Sequence, residues 1–215
     1  MPKELPKKDV MVQRGFSVPD IRATADNGNI DGHPAVFEQK TAIGDWFYEI
    51  IERGAFDGCN FDDVLFCVNH DTRKVPLARS RRNNSNSTMQ ISVDDKGLYM
   101  KASLDVENNP EAKAVHSAVS RGDLNGMSFM FWVAEERWTD LDKDMPTRHI
   151  LKISEVRELG PVNFPAYAGT DINARDSDQQ ALENARRTLE NARSKELENS
   201  TPMCSDIRIR RHYKK

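Results

Sequence analysis

The 215 residues suffice for one well-buried domain plus an accessory segment, but a hydrophobic fraction of 38% and a mean hydropathy of -0.70 are low for a compact enzyme and imply that part of the chain is solvated. A balance of 31 basic against 34 acidic residues, net charge -3, excludes a chain-wide nucleic-acid-binding surface. The three cysteines, Cys59, Cys67 and Cys204, are odd in number and form no CxxC pair, which excludes a disulfide framework and fits a reducing compartment.

The N-terminal MPKELPKKDVMVQRG carries lysines but no apolar core, so it does not read as a signal peptide. No run approaches the roughly 18 apolar residues of a membrane span. The expected location is the cytosol, or an enclosure assembled there.

In chain order, a helix is expected over Trp46–Arg53. Val64–Asn69 (VLFCVN) is a continuous apolar run and reads as a strand buried on both faces. Thr88–Val93 and Leu98–Val106 flank the turn sequence DDKG and read as a hairpin. Leu98, Met100, Ala102 and Leu104 form its inner face. A second helix begins at Asn109, a good N-cap, with Pro110 at its first position and Glu111 at the positive end of its dipole. Its apolar stripe is Ala114, Val115, Ala118 and Val119, and Gly122 ends it. Met127–Val133 (MSFMFWV) and Ile150–Val156 read as further strands. Many strands with few helices and no βαβ rhythm give a β-rich α+β class.

Composition changes near residue 172. The expected organisation is a flexible N-terminus at 1–9, a folded domain at 10–172, and a charged helical or disordered tail at 173–215. LENAR occurs at 182–186 and again at 189–193, one heptad apart, which predicts an amphipathic helix of about 20 residues. The chain ends in the basic stretch RIRRHYKK from Arg208.

Three residues stand out chemically. Ser128 lies on the strand face opposite Met127, Phe129, Phe131 and Val133. A lone strand serine is often bonded to nearby backbone; a serine held on a rigid strand is also a candidate nucleophile. Its context, GMSFM, is not the GxSxG elbow of α/β-hydrolases, because Met130 stands at the final glycine. His70 ends the apolar strand and opens into a polar loop. An imidazole with a pKa of about 6.5 suits general-base work there, although a plain turn histidine fits as well. Asp71, its neighbour, reads as a turn residue. Glu155 alternates with Leu151 and Ile153 on an apolar face, where a carboxylate needs a partner. An imidazolium would supply one, with Glu158 as the rival carboxylate. His33, His70, His116 and His149 are far apart and form no short ligand pair, so no metal is expected, and with no phosphate loop or dinucleotide motif no cofactor is expected either.

In order and spacing these segments resemble the prohead protease family of tailed bacteriophages, relatives of the herpesvirus assemblins. The similarity runs through GHPAVFEQ from Gly32, IIERGAF from Ile50, VNHD at 68–71, PLARS at 76–80, GLYMKASL, RGDLNGMSFMF from Arg121 and ISEVRELGPVNFPAYAGT. The resemblance implies Ser128 as nucleophile, His70 as base and an acidic third member, Glu155. Assemblins have a histidine in that third role. The family often has glycine where this chain has Ala78 and Met130, which bears on loop shape and pocket size. Also implied are an assemblin-like β-barrel ringed by helices, an oxyanion site in the loop Gly160–Ala166, and self-association as a dimer. The implied role is a serine endopeptidase of procapsid maturation in the host cytoplasm. It would cleave scaffold or the scaffolding segment of the major capsid protein, and then itself, shedding its tail. The rival reading is a non-catalytic scaffold or capsid-assembly protein that kept the fold. Nucleic-acid contact is expected only weakly, through the basic C-terminus.

Overall fold

The computed structural model describes residues 10–17, 20–24, 28–163 and 172–200. Two long antiparallel strands, β10 (Gly126–Thr139) and β11 (Thr147–Val162), form its centre. β1 (Val10–Ser17) pairs with the free side of β10. The far side of β11 is shared by two parallel partners, β5 (Phe47–Ile51) at residues 147–150 and β6 (Asp63–Phe66) at residues 158–159. β4 (Thr41–Ile43) extends the sheet from β5, and β7 (Ala78–Arg81) extends it from β6. A second, four-stranded sheet has the order β2 (Arg22–Ala23), β3 (Asn29–Val36), β9 (Gly97–Ser103), β8 (Met89–Val93). One core lies between the sheets, with Met127, Phe129 and Phe131 of β10 packed among Ile30, Leu98 and Met100.

β11 is not a regular strand. Pairing with β10 skips Leu151, Ser154 and Arg157 in turn. Each skipped residue is a bulge, which bends the strand and sharpens its right-handed twist. Inward-facing residues therefore recur every third position: Ile150, Ile153, Val156 and Leu159 are all buried. This bent strand can take two different parallel partners on one edge.

The β-rich α+β class is present, and among the described residues the strands do not close into the expected barrel. The larger sheet ends at β1, β4 and β7, and none of these three is bonded to another. The segment Trp46–Arg53 holds a strand, Phe47–Ile51, rather than a helix: burial alternates through Phe47, Glu49 and Ile51, and aromatic and β-branched side chains suit that pleat. The apolar run at 64–69 is a regular strand only as far as Phe66; Cys67 and Asn69 still donate to β11 carbonyls as the chain turns. The hairpin forms as β8–β9, with Leu98, Met100 and Ala102 inward.

Helix α1 (Pro110–Arg121) starts where its signals place it. The Asn109 side chain accepts from the backbone N–H groups of Glu111 and Ala112. Gly122 closes it at φ 77°, a left-handed conformation glycine adopts without cost. Its buried face is Ala112, Val115 and Val119, so the stripe is rotated away from Ala114, which is exposed.

Helix α2 (Ile172–Ser200) carries the LENAR repeat. It does not stand off in solvent at its N-terminal end. Leu182 packs with Ile43 and Phe47, and Trp46, Trp138 and Leu141 border them. One turn earlier, Asp178 is buried against two arginines. Its Oδ1 lies 2.9 Å from Arg14 Nη2 and 3.5 Å from Arg148 Nη1. Glu49 bridges the same arginines, at 2.6 Å from Arg14 Nε and 3.2 Å from Arg148 Nη1. Glu136 takes the outer face of Arg148 at 2.5 Å. Burial alone would raise the Glu49 carboxyl and lower the Arg14 guanidinium. Their mutual attraction outweighs it, leaving Glu49 below and Arg14 above the ordinary range. The cluster ties β1, β5, β10, β11 and α2 together.

Candidate active site

Ser128 sits on β10 between two glycines, Gly15 on β1 and Gly160 on β11. Paired residues on neighbouring strands share a face, so no side chain crowds the hydroxyl from either side. That space admits the ring of His70. Its Nε2 lies within hydrogen-bonding distance of Ser128 Oγ.

His70 reaches this point because the chain reverses directly after β6. Asn69 and His70 both adopt left-handed backbone, φ 53° and 59°. Asp71 caps the reversal: its N–H donates to the Val68 carbonyl, and its carboxylate accepts from the Arg73 N–H. Asp71 is thus a turn residue and does not contact the ring of His70.

The second ring nitrogen, Nδ1, lies 2.7 Å from Oε2 of Glu158. Glu158 pairs across the sheet with Met130, two residues beyond Ser128, and so shares the face of Ser128. Its side chain is 1% exposed against 19% for His70. Burial pushes its carboxyl upward, and the hydrogen bond and charge of His70 only partly offset this. Ser128 itself is fully buried.

The expected third member, Glu155, is not in this chain of contacts. Its carboxylate takes Arg157 Nε at 2.7 Å, and the pair lies along the half-buried Trp132. The skipped residue Arg157 explains the difference. Strict alternation would set Glu155 and Glu158 on opposite faces, whereas the bulge puts both on the face of Ser128, with Glu158 nearer to it.

The Ser128 hydroxyl has a second acceptor, the carbonyl oxygen of Arg14 at 2.6 Å. With His70 doubly protonated, Nε2–H donates to Oγ and Oγ–H donates to Arg14. With His70 neutral and Nδ1–H held by Glu158, the hydroxyl proton can turn to Nε2. No feature of the sequence points to the Arg14 carbonyl.

Cys67 lies close by and is buried. Burial first, and the Glu158 charge second, push its thiol up to about 12, so it is not a competing nucleophile. Its carbonyl explains Gly160, where a Cβ would stand 1.7 Å from the Cys67 oxygen. Of the expected oxyanion loop, Gly160–Val162 belongs to β11, and Pro161 has no N–H to give. Residues 164–166 lie outside the described residues, as do Cys204 and the basic stretch from Arg208.

The other histidines among the described residues have ordinary partners. His33 lies between Asp20 and Asp94, His116 meets the Thr24 carbonyl, and His149 lies between Glu52 and Thr139. Among the described residues no group of three or more ligating side chains could hold a metal ion. No helix among them is long and apolar enough to cross a membrane.

A nucleophile, a base and a buried carboxylate in linear contact is the arrangement of a serine hydrolase. The profile of the caudovirus prohead serine proteases matches residues 17–185. The chain belongs to that family. No curated protein and no solved structure matches it. The prohead protease match spans β10, β11 and the His70 loop, and it runs into α2 past Asp178 and Leu182.

Proposed function

We propose that the protein is the endopeptidase of procapsid maturation, with Ser128 as nucleophile, His70 as general base and Glu158 as the carboxylate that orients His70. The contact chain from Ser128 through His70 to Glu158 carries this reading. Glu158 accepts from Nδ1–H, which leaves Nε2 free to take the Ser128 proton as Oγ attacks the scissile carbonyl. The imidazolium then forms beside a buried carboxylate, and it returns the proton to the leaving amine. Backbone N–H groups hold the oxyanion. Because Ser128 is covered, the peptide enters from the side of the partly exposed His70 ring and displaces what lies over the hydroxyl.

The protein substrates are scaffold or the scaffolding segment of the major capsid protein, and the chain itself, within the assembling procapsid in the host cytoplasm. The family supports the coarse role, and a scaffold that merely kept the fold has no need of all three contacts. Co-expression with the cognate major capsid protein tests this. Mass spectrometry is expected to find capsid and self-cleavage products with the wild type and none with Ser128→Ala. Equal processing by Ser128→Ala overturns the reading.

A further inference from the structure

We infer that Asn69 is a positioning residue for His70, fixing the loop of the base to the end of β11 that backs Ser128; this rests on the protease reading above. Two successive non-glycine residues with positive φ are costly, and such conformations persist only where surrounding contacts enforce them. Asn69 is exposed, so packing in the core does not explain it.

Its contacts do. The Asn69 N–H donates to the Pro161 carbonyl at 3.0 Å, and its Oδ1 accepts from the Asn163 N–H at 2.9 Å. Pro161 pairs with Met127, and Gly160 pairs with Ser128. Asn69 thus grips β11 immediately beyond the residue beside the nucleophile and three residues beyond Glu158. Asparagine meets both demands of the position: it tolerates left-handed backbone, and its short amide carbonyl reaches a nearby N–H. Loss of the grip lets the imidazole move relative to both of its partners, without touching either.

Three variants separate these demands. Asn69→Asp keeps the acceptor and the tolerance, Asn69→Gly keeps only the tolerance, and Asn69→Ala keeps neither. Two readouts report on the base and not merely on folding. One is the rate of Ser128 labelling by a fluorophosphonate probe as a function of pH. The other is the far-downfield proton resonance of His70 Nδ1–H. The expected labelling rates are within about threefold of wild type for Asp, about tenfold lower for Gly and about 100-fold lower for Ala, the scale of a misplacement near 1 Å. The resonance survives in Asn69→Asp and broadens away in Asn69→Ala. Should Asn69→Ala fail to fold, Asn69→Gly against Asn69→Asp decides in its place. Wild-type labelling and an intact resonance in Asn69→Gly or Asn69→Ala overturn the inference alone. Undiminished labelling of Ser128→Ala overturns the protease reading, and the inference with it.

Discussion

His70 Nδ1 lies 2.7 Å from Glu158 Oε2, while Glu155, three residues earlier on the same strand, gives its carboxylate to Arg157 at the same distance. The two glutamates therefore differ in what they do for the base. Glu158→Gln can donate its amide N–H to Nδ1 and hold the tautomer whose Nε2 carries a proton. Activity on the capsid protein is expected to fall by about 10³–10⁴-fold. Glu155→Gln is expected to stay within about threefold, since only a half-exposed pair is lost. Parallel rate measurements on the two variants check this.

Glu158 also links the site to stability. Burial, partly offset by His70, holds its folded-state pKa above the ordinary 4.5. A raised carboxyl contributes stability fully below that ordinary value and loses it as pH rises through the folded value. Above that window the buried charge is a cost, which Glu158→Gln removes. The Tm of Glu158→Gln is expected to match wild type in acid and to exceed it increasingly as pH rises, in opposition to the loss of activity. Melting curves across the pH range check the sign.

The buried arginine cluster makes the start of α2 part of the folded unit. Asp178→Ala leaves Arg14 and Arg148 short of a carboxylate and is expected to cost about 3 kcal/mol in denaturant unfolding. A chain ending at residue 171 loses Leu182 as well and is expected to melt lower still. Glu49, whose pKa is depressed, contributes stability present above its ordinary 4.5 and lost as pH falls through the folded value. The Tm deficit of Glu49→Gln is accordingly expected to be large at neutral pH and to shrink in acid.

Gly160→Ala is expected to be severe. The added methyl meets the Cys67 carbonyl oxygen at 1.7 Å and its carbon at 2.9 Å, both backbone atoms, so the chain just past β6 must move away from β11. A loss of more than about 3 kcal/mol, or failure to recover soluble protein, is the expected outcome. Expression yield and unfolding midpoints read it directly.

Much of this was legible in the residues. Asn109, Pro110 and Gly122 mark α1 at both ends, because caps are local chemistry. DDKG marks the β8–β9 turn for the same reason. Ser128 and His70 were legible only through the order of their segments, since neither side chain is diagnostic by itself. Alternation assumes a period of two, and so it does not bring out that Glu158 rather than Glu155 meets His70. β11 instead runs on a period of three, visible in retrospect in the spacing of Ile150, Ile153, Val156 and Leu159. Glu49 sits in a segment that reads as a helix face until its arginine partners, far away in sequence at Arg14 and Arg148, are known. Asp178 looked like part of a solvated tail for the same reason: buried ion pairs form between distant residues, and no local pattern announces them.

The most direct measurement is the site and dependence of covalent labelling by a fluorophosphonate, read by mass spectrometry of the digested protein. A single adduct on Ser128, abolished in Ser128→Ala and strongly slowed in His70→Ala and Glu158→Gln, is the predicted result. No adduct on Ser128 in the wild type, or labelling of Ser128 that is indifferent to His70 and Glu158, would contradict it.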